Sequence, residues 1–232
     1  MGAPVGAACY VAAMTAKKRV GILISGRGSN MEALIAAARA PDYPAEIVVV
    51  VSNRPDAAGL KTAEAAGIPT QMIDHKTCAS REAFESELDA ALLMFGVELV
   101  ACAGFMRLMT PLFVTRWQDR MINIHPSLLP AFKGLDTHAR ALAAGVKVAG
   151  CTVHVVRPEV DEGPIIAQAA VPVLDGDTPE TLAARVLDAE HRLYPHALAL
   201  YASGEVKVDG SRTAGPQVPV NQEKALFWPP LD

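Results

Sequence analysis

Runs of apolar residues alternate with amphipathic segments along most of the chain. Three runs rich in branched apolar residues, at 19–25, 47–51 and 97–103, have the length and continuity of strands buried on both faces. A shorter run at 69–73 and amphipathic segments such as 80–95 lie between them. Strands that alternate with helices favour parallel pairing, because the crossover helices cover both faces of the sheet. The pattern therefore predicts an α/β fold with a doubly wound, mostly parallel, Rossmann-like sheet.

The second half of the chain predicts a different strand arrangement. A strand at 121–124 is followed by two more at 150–156 and 164–173, which a short loop joins. We expect these two to form an antiparallel C-terminal pair. A last long helix is predicted to begin after Asp177, with Pro179 at its first position.

The two ends of the chain differ in composition from the part between them. Residues 1–16 are small and apolar, but the positive charges at 17–19 follow this stretch, whereas a signal peptide carries them in front. We expect 1–16 to be a disordered leader or an over-long gene start, 17–208 to be one folded domain, and 209–232 to be a loose tail rich in Gly, Pro and Gln. No apolar run reaches the ~18 residues that a membrane span needs.

Composition narrows the class of partner and the compartment. The chain is 51% hydrophobic and carries 21 basic against 25 acidic residues, and no basic block exceeds 17–19. These features argue against nucleic-acid binding. The four cysteines form no Cys-x-x-Cys pair, and two of them lie in apolar runs. Disulfides and zinc ligation are therefore disfavoured, and a reducing cytoplasm is the expected compartment.

A glycine-containing turn at 25–30 joins the first strand to a helix. A turn of this kind presents free backbone N–H groups and a positive dipole end, which suit a phosphate, but an ordinary strand-to-helix turn has the same composition. Ser29 and Glu32 fit a capping box at the helix start. The turn is not a dinucleotide fingerprint, because Met31 stands where the third glycine would fall.

Two polar side chains end the strand at 121–124. Asn123 and His125 are two residues apart, so they point to the same side of an extended strand. At the carboxyl end of a strand they could act as an oxyanion donor and a proton donor, or simply cap the strand. The loop at 157–163 carries Glu159, Asp161 and Glu162, any of which could lie beside His125 and favour its protonated form.

The other histidines give a weaker signal. His75, His191 and His196 have no partner at metal-ligand spacing, which argues against a metal site. His138 and His154 could face the site, but their spacing does not decide it.

The ordered set of motifs over about 19–208 resembles the phosphoribosylglycinamide formyltransferase family. The resemblance rests on Gly26-Arg27-Gly28-Ser29-Asn30, Ala103-Gly104-Phe105-Met106-Arg107, Asn123-Ile124-His125-Pro126-Ser127-Leu128-Leu129-Pro130, Gly134-Leu135-Asp136-Thr137-His138, Asp161-Glu162-Gly163-Pro164 and Glu190-His191. It implies that 17–208 is a formyltransferase catalytic domain of purine biosynthesis. The implied reaction moves the formyl group of 10-formyltetrahydrofolate, a co-substrate, to the amine of glycinamide ribonucleotide, with no metal and no covalent enzyme intermediate.

The resemblance also implies roles for individual residues. Asn123 would bind the formyl oxygen, His125 would stabilise the intermediate and donate a proton, and Asp161 would keep His125 protonated. The ribonucleotide phosphate and its sugar or amine side would be held by Gly28, Ser29, Asn30 and Glu190. The folate would be held by Arg81, Met106, Arg107, Leu108, Met109 and Asn123, mostly through backbone groups except for Arg81, which would lie near the folate carboxylates.

One position departs from the family pattern, and three other readings remain. Asp136 stands where many members have histidine, so the supporting role of that histidine is in doubt here.

Methionyl-tRNA formyltransferase is disfavoured by the short tail and acidic balance, and formyltetrahydrofolate deformylase by the few residues before the first strand. A dinucleotide-binding module would require the complete glycine fingerprint. The residues do not distinguish a monomer from a homodimer.

Overall fold

Nine strands and six helices lie along residues 16–215, the part of the chain that the computed structural model describes. The strands are β1 (Lys18–Ile24), β2 (Ala45–Ser52), β3 (Thr70–Met72), β4 (Leu99–Cys102), β5 (Met121–His125), β6 (Val148–Val155), β7 (Ile165–Pro172), β8 (Lys207–Asp209) and β9 (Arg212–Ala214). The helices are α1 (Ser29–Ala38), α2 (Ala58–Ala65), α3 (Arg81–Met94), α4 (Pro111–Arg116), α5 (Thr137–Ala143) and α6 (Pro179–Ala202).

Seven strands form one sheet in the order β3-β2-β1-β4-β5-β6-β7. The five strands from β3 to β5 in this order pair in parallel, whereas β5 with β6 and β6 with β7 pair antiparallel. The predicted α/β class, the parallel sheet and the antiparallel strand pair are all confirmed. The strand order reverses at β1, which lies between β2 and β4, and a crevice at such a reversal is where open α/β sheets bind ligands.

The apolar run in β1 is continuous because both faces of the sheet are covered. Ile22 and Ile24 belong to a core cluster that includes Leu34 of α1 and Tyr194 of α6. Leu23, between them, belongs to a second cluster on the other face with Leu88 of α3 and Trp117. Neighbouring residues of one strand thus enter opposite layers of core, which alternating polar residues would prevent.

The turn before α1 differs from its prediction. Gly28, with φ 79° and ψ 30°, is the residue that precedes the helix, and no side chain of residues 16–215 caps α1. The predicted capping box of Ser29 and Glu32 is therefore wrong, since Ser29 is already the first helical residue. A capping box is present instead at α6, where Thr178 precedes Pro179 and bonds reciprocally with Thr181.

The fold continues beyond residue 208, where the tail was predicted to start. Strands β8 and β9 form a hairpin, and the Thr213 hydroxyl donates to the Ile165 carbonyl at 2.6 Å. This hydrogen bond attaches the hairpin to β7, which is why residues 209–214 are ordered despite their loop-like composition. The remaining tail residues, 216–232, and leader residues 1–15 lie outside the described residues.

Candidate active site

Side chains from three adjacent segments meet at the carboxyl end of β5. Asn123 and His125 lie on one face of the strand, and His154 of β6 pairs directly across from Asn123. The loop after β6 contributes Asp161. His125 and His154 are buried, as is most of the Asp161 side chain, so charges here are poorly screened by solvent.

The loop carboxylate that contacts His125 is Asp161. Its Oδ2 lies 3.3 Å from His125 Nδ1 and also accepts the Gly134 backbone N–H at 2.9 Å. Glu162, by contrast, forms an ion pair with Lys133 at 2.7 Å, and Glu159 is exposed. Of the three acidic residues in the loop, Asp161 is therefore the one that contacts His125.

Both ring nitrogens of His125 face oxygen acceptors. Nδ1 faces the Asp161 carboxylate, and Nε2 lies 3.1 Å from the Phe132 carbonyl oxygen. A carbonyl oxygen can only accept, and a neutral imidazole has only one N–H. The doubly protonated imidazolium is the form of His125 that satisfies both contacts.

The neutral ring of His154 orients Asn123. Burial lowers the pKa of His154, which favours the neutral ring. Its Nδ1–H donates to the Val155 carbonyl at 3.1 Å, so Nε2 is an acceptor and lies 3.3 Å from Asn123 Nδ2. The 3.7 Å separation between His154 Nε2 and Asp161 is then not an ion pair. Asn123 gives one amide proton to His154 and carries a second one for a ligand.

The backbone of the Asp161-Glu162-Gly163 segment explains its residue types. Asp161 has φ 55°, a left-handed conformation that aspartate tolerates better than most residues. A side chain at Gly163 is impossible without rearrangement, because its Cβ would lie 1.6 Å from the Val155 carbonyl oxygen. The loop thus packs tightly on β6, which fixes the Asp161 carboxylate beside His125.

The residues predicted to hold the ribonucleotide come together at the start of α1. Asn30, the second residue of that helix, donates from Nδ2 to Glu190 Oε2 of α6 at 2.7 Å, although 160 positions separate them. Asn30 Oδ1 is buried and accepts no hydrogen bond from any residue between 16 and 215. Gly28 and Ser29 precede it at the helix N-terminus, where backbone N–H groups are free of intrahelical bonds.

Glu190 is a buried carboxyl whose ionisation is unfavourable. Burial raises its pKa from 4.5 to about 6, opposed in part by the Asn30 hydrogen bond. The fold therefore favours the neutral carboxyl, and this contribution to stability is fully present below pH 4.5 and lost as the pH rises through about 6.

We expect Glu190→Gln to stabilise the protein at pH 8 by about 2 kcal/mol, since the amide keeps an acceptor for Asn30 and carries no charge. The gain should shrink through pH 6 and disappear near pH 4.5. Urea unfolding of both proteins between pH 4.5 and 8 measures it. A gain that does not vary with pH would contradict the ionisation argument.

Residues 106–109, which are predicted to bind folate and are called the folate segment here, lie next to Asn123, His154 and Asp161. A cavity of about 150 Å³ is lined both by three residues of this segment and by the polar side chains of the candidate site. Its lining includes Arg107, Leu108, Met109, Val114, Asn123, His154, Val156 and Asp161. Two larger cavities have volumes of about 490 Å³ each. One of them also touches Asp161, but neither is lined by Asn123 or His154, so we assign the reaction to the smaller cavity because of its polar side chains and not its size.

Two predicted folate residues lie outside that lining. Met106 is 67% exposed, and its backbone N–H is already donated to the Ser25 hydroxyl. Arg81 is exposed at the first residue of α3, one helical turn from Phe84. The Arg107 guanidinium lies 5.1 Å from the centre of the Phe84 ring, so Arg81 and Arg107 approach the same part of α3.

Glu85 is a buried residue of this region that the sequence analysis missed. Its carboxylate accepts the Thr110 backbone N–H at 2.6 Å and the Thr110 hydroxyl, and so holds the end of the folate segment against α3. A signal was available: Glu85 occupies the apolar face of α3, three and seven residues before the buried Leu88 and Leu92. A carboxylate at such a position needs a polar partner.

Two other kinds of site concern residues 16–215. Within that range no three His, Cys, Asp or Glu side chains are grouped as a metal site, and no helix has the length and hydropathy required to cross a bilayer.

The chain matches the formyl transferase family model over residues 18–198. It is 43% identical to the phosphoribosylglycinamide formyltransferase of Escherichia coli (strain K12) over 187 residues, which cover 81% of this chain and 88% of that protein. A crystal structure of phosphoribosylglycinamide formyltransferase from Brucella melitensis is 60% identical and has a TM-score of 0.78, covering 83% of this chain and all of that one.

Longer proteins contain a similar region. The trifunctional purine biosynthetic protein adenosine-3 of Gallus gallus is 56% identical over 194 residues, which are 84% of this chain but only 19% of that protein. The chain thus spans about a fifth of the length of this relative. The family match over most of the described residues and the nearly full-length bacterial relatives agree: the chain belongs to the formyl transferase family, among the phosphoribosylglycinamide formyltransferases.

Proposed function

We propose that this protein transfers the formyl group of 10-formyltetrahydrofolate to the amine of glycinamide ribonucleotide, giving formylglycinamide ribonucleotide and tetrahydrofolate in purine biosynthesis. The observation that carries the proposal is the contact between His125 and Asp161, since Asp161 and Asn123 both line the cavity that the folate segment borders. This set provides a hydrogen-bond donor and a cation for the negative charge that forms during acyl transfer.

The first step is attack of the ribonucleotide amine on the formyl carbon. The formyl oxygen gains negative charge as the carbon becomes tetrahedral. The second Nδ2 proton of Asn123 donates to this oxygen, and His154 keeps the amide in the required orientation. The His125 imidazolium adds a positive charge nearby, which the Asp161 carboxylate keeps protonated.

The second step breaks the bond between the formyl carbon and N10 of the folate. N10 must gain a proton as it leaves, and the amine must lose one, so the net proton count is unchanged. His125 donates the proton and is then reprotonated by the one released from the amine. The Nε2 contact with Phe132 is exchanged for one with the substrate, since catalytic hydrogen bonds commonly tighten only when substrate is bound. The proposed reaction uses neither a metal nor a covalent enzyme intermediate.

The two substrates bind to separate groups of residues. The ribonucleotide phosphate lies at the N-terminus of α1, against Gly28, Ser29 and Asn30, and Glu190 receives the sugar or amine side. The folate occupies the cavity beside Leu108 and Met109, with Arg81 near its carboxylates. A reducing cytoplasm is the compartment we propose.

Mixing the protein with 10-formyltetrahydrofolate and following folate absorbance, with and without glycinamide ribonucleotide, tests the proposal. We expect tetrahydrofolate to form only when the ribonucleotide is present, in equal amount to the formylated ribonucleotide. Folate turnover without any acceptor would instead indicate a deformylase, and no turnover in either mixture would contradict formyl transfer altogether.

A further inference from the structure

Ser25 lies between the two predicted binding regions and bonds to groups outside its own turn. Its hydroxyl accepts the Met106 backbone N–H at 2.8 Å and donates to Asn53 Oδ1 at 2.6 Å. The Ser25 side chain and Asn53 are both buried, so water does not replace these bonds readily. The hydroxyl thereby joins the ends of three adjacent parallel strands, β1, β2 and β4.

Backbone hydrogen bonds reinforce the same junction. The Ser25 N–H donates to the Gly104 carbonyl at 3.1 Å, and the Gly59 N–H donates to the Gly26 carbonyl at 3.1 Å. The turn at 25–30, which precedes the ribonucleotide side of the site, is therefore bonded directly to the segment that leads into the folate side. A displacement of either loop must change the position of Ser25 or break its bonds.

We infer that Ser25 is a positioning residue that couples the binding of the two substrates. The inference rests on the proposed function, because it assigns one ligand to each side of the Ser25 hydrogen bonds. A ligand that orders the turn at 25–30 also fixes the acceptor for Met106, so the second ligand meets a segment that is already ordered and loses less conformational entropy on binding. The coupling is reciprocal: each ligand raises the affinity for the other by the same factor.

Calorimetric titration of the whole protein measures this factor. The dissociation constant of tetrahydrofolate is determined alone and at saturating glycinamide ribonucleotide, and then the ligands are exchanged. We expect at least about a fivefold gain in affinity in both directions for the unmodified protein. In Ser25→Ala the factor falls towards one. Because the factor is a ratio, a uniform loss of folate affinity in the variant cancels from it.

Ser52→Ala is the matched control. Ser52 is also a buried hydroxyl at a strand end and next to Asn53, but within the described part of the chain its hydroxyl bonds only to the backbone of Arg54. Its loss should lower stability comparably and leave the coupling factor unchanged. A factor near one in the unmodified protein, or a factor retained in Ser25→Ala, overturns the inference. Failure of both ligands to bind the unmodified protein would instead overturn the proposed function together with it.

Hydrogen exchange at the Met106 amide tests the same inference without any variant. This N–H donates to Ser25, whereas Met106 itself is exposed. Glycinamide ribonucleotide alone should slow its exchange, because a bound ligand that orders the turn at 25–30 lowers the fraction of molecules in which the hydrogen bond to Ser25 is open. Unchanged exchange at ribonucleotide saturation would overturn the coupling, whatever the behaviour of Ser25→Ala.

Discussion

His125→Ala is expected to lower kcat by about 10²–10⁴-fold, the range for removal of a positioned proton donor. The alanine leaves neither a cation beside the tetrahedral intermediate nor a proton for N10. The affinity for glycinamide ribonucleotide should change by less than about threefold, because Asn30 and Glu190 bond to each other independently of His125. Stopped-time product assays at saturating substrates and calorimetric titration of the ribonucleotide measure the two effects separately.

The control for this variant is another histidine. His196 lies exposed on α6, so His196→Ala should retain full turnover. If the interaction with His125 operates only in the transition state, kcat and kcat/KM fall together. Turnover of His125→Ala within about tenfold of the unmodified protein would exclude His125 as the donor, since even the lower limit for a general acid is larger.

Asp161→Asn should reduce kcat at neutral pH by a similar factor of about 10²–10⁴, because the amide has no charge to keep His125 protonated. The amide is the same size as the carboxylate and can still accept the Gly134 N–H, so the loop need not move. Product assays of both proteins at saturating substrates measure the loss.

Glu162→Gln is the matched change in the next residue. Its carboxylate pairs with Lys133 at the surface, and exposed ion pairs of this kind contribute about 0–1 kcal/mol. We expect activity within about threefold of the unmodified protein, since a contribution of that size corresponds to well under about 1 kcal/mol. A loss equal to that of Asp161→Asn would show that the segment, and not the Asp161 charge, is what the reaction requires.

The amino-acid sequence alone determined those features of the protein that depend on residues close together along the chain. The continuous apolar run of β1 required cover on both faces, and the two-residue spacing of Asn123 and His125 placed both on one side of a strand end. The helix at α3 began where Ser80 was available as its cap, and α6 began with Pro179 at its first position. These features depend on residues within one or two turns of each other, so the spacing of side chains along the chain is sufficient to predict them.

Tertiary structure alone decided the contacts that complete the site. Asn30 and Glu190 meet across 160 positions, and Ser25 reaches Met106 across 81. The choice of Asp161 over its acidic neighbours depends on how the loop packs against the Val155 carbonyl oxygen at Gly163.

The physical reason is that these contacts depend on strand order and on loop packing. The position of His154 opposite Asn123, for example, follows from the antiparallel register of β5 and β6. A local hydrophobic pattern is compatible with several registers and strand orders, and only the packing of the whole core selects one of them.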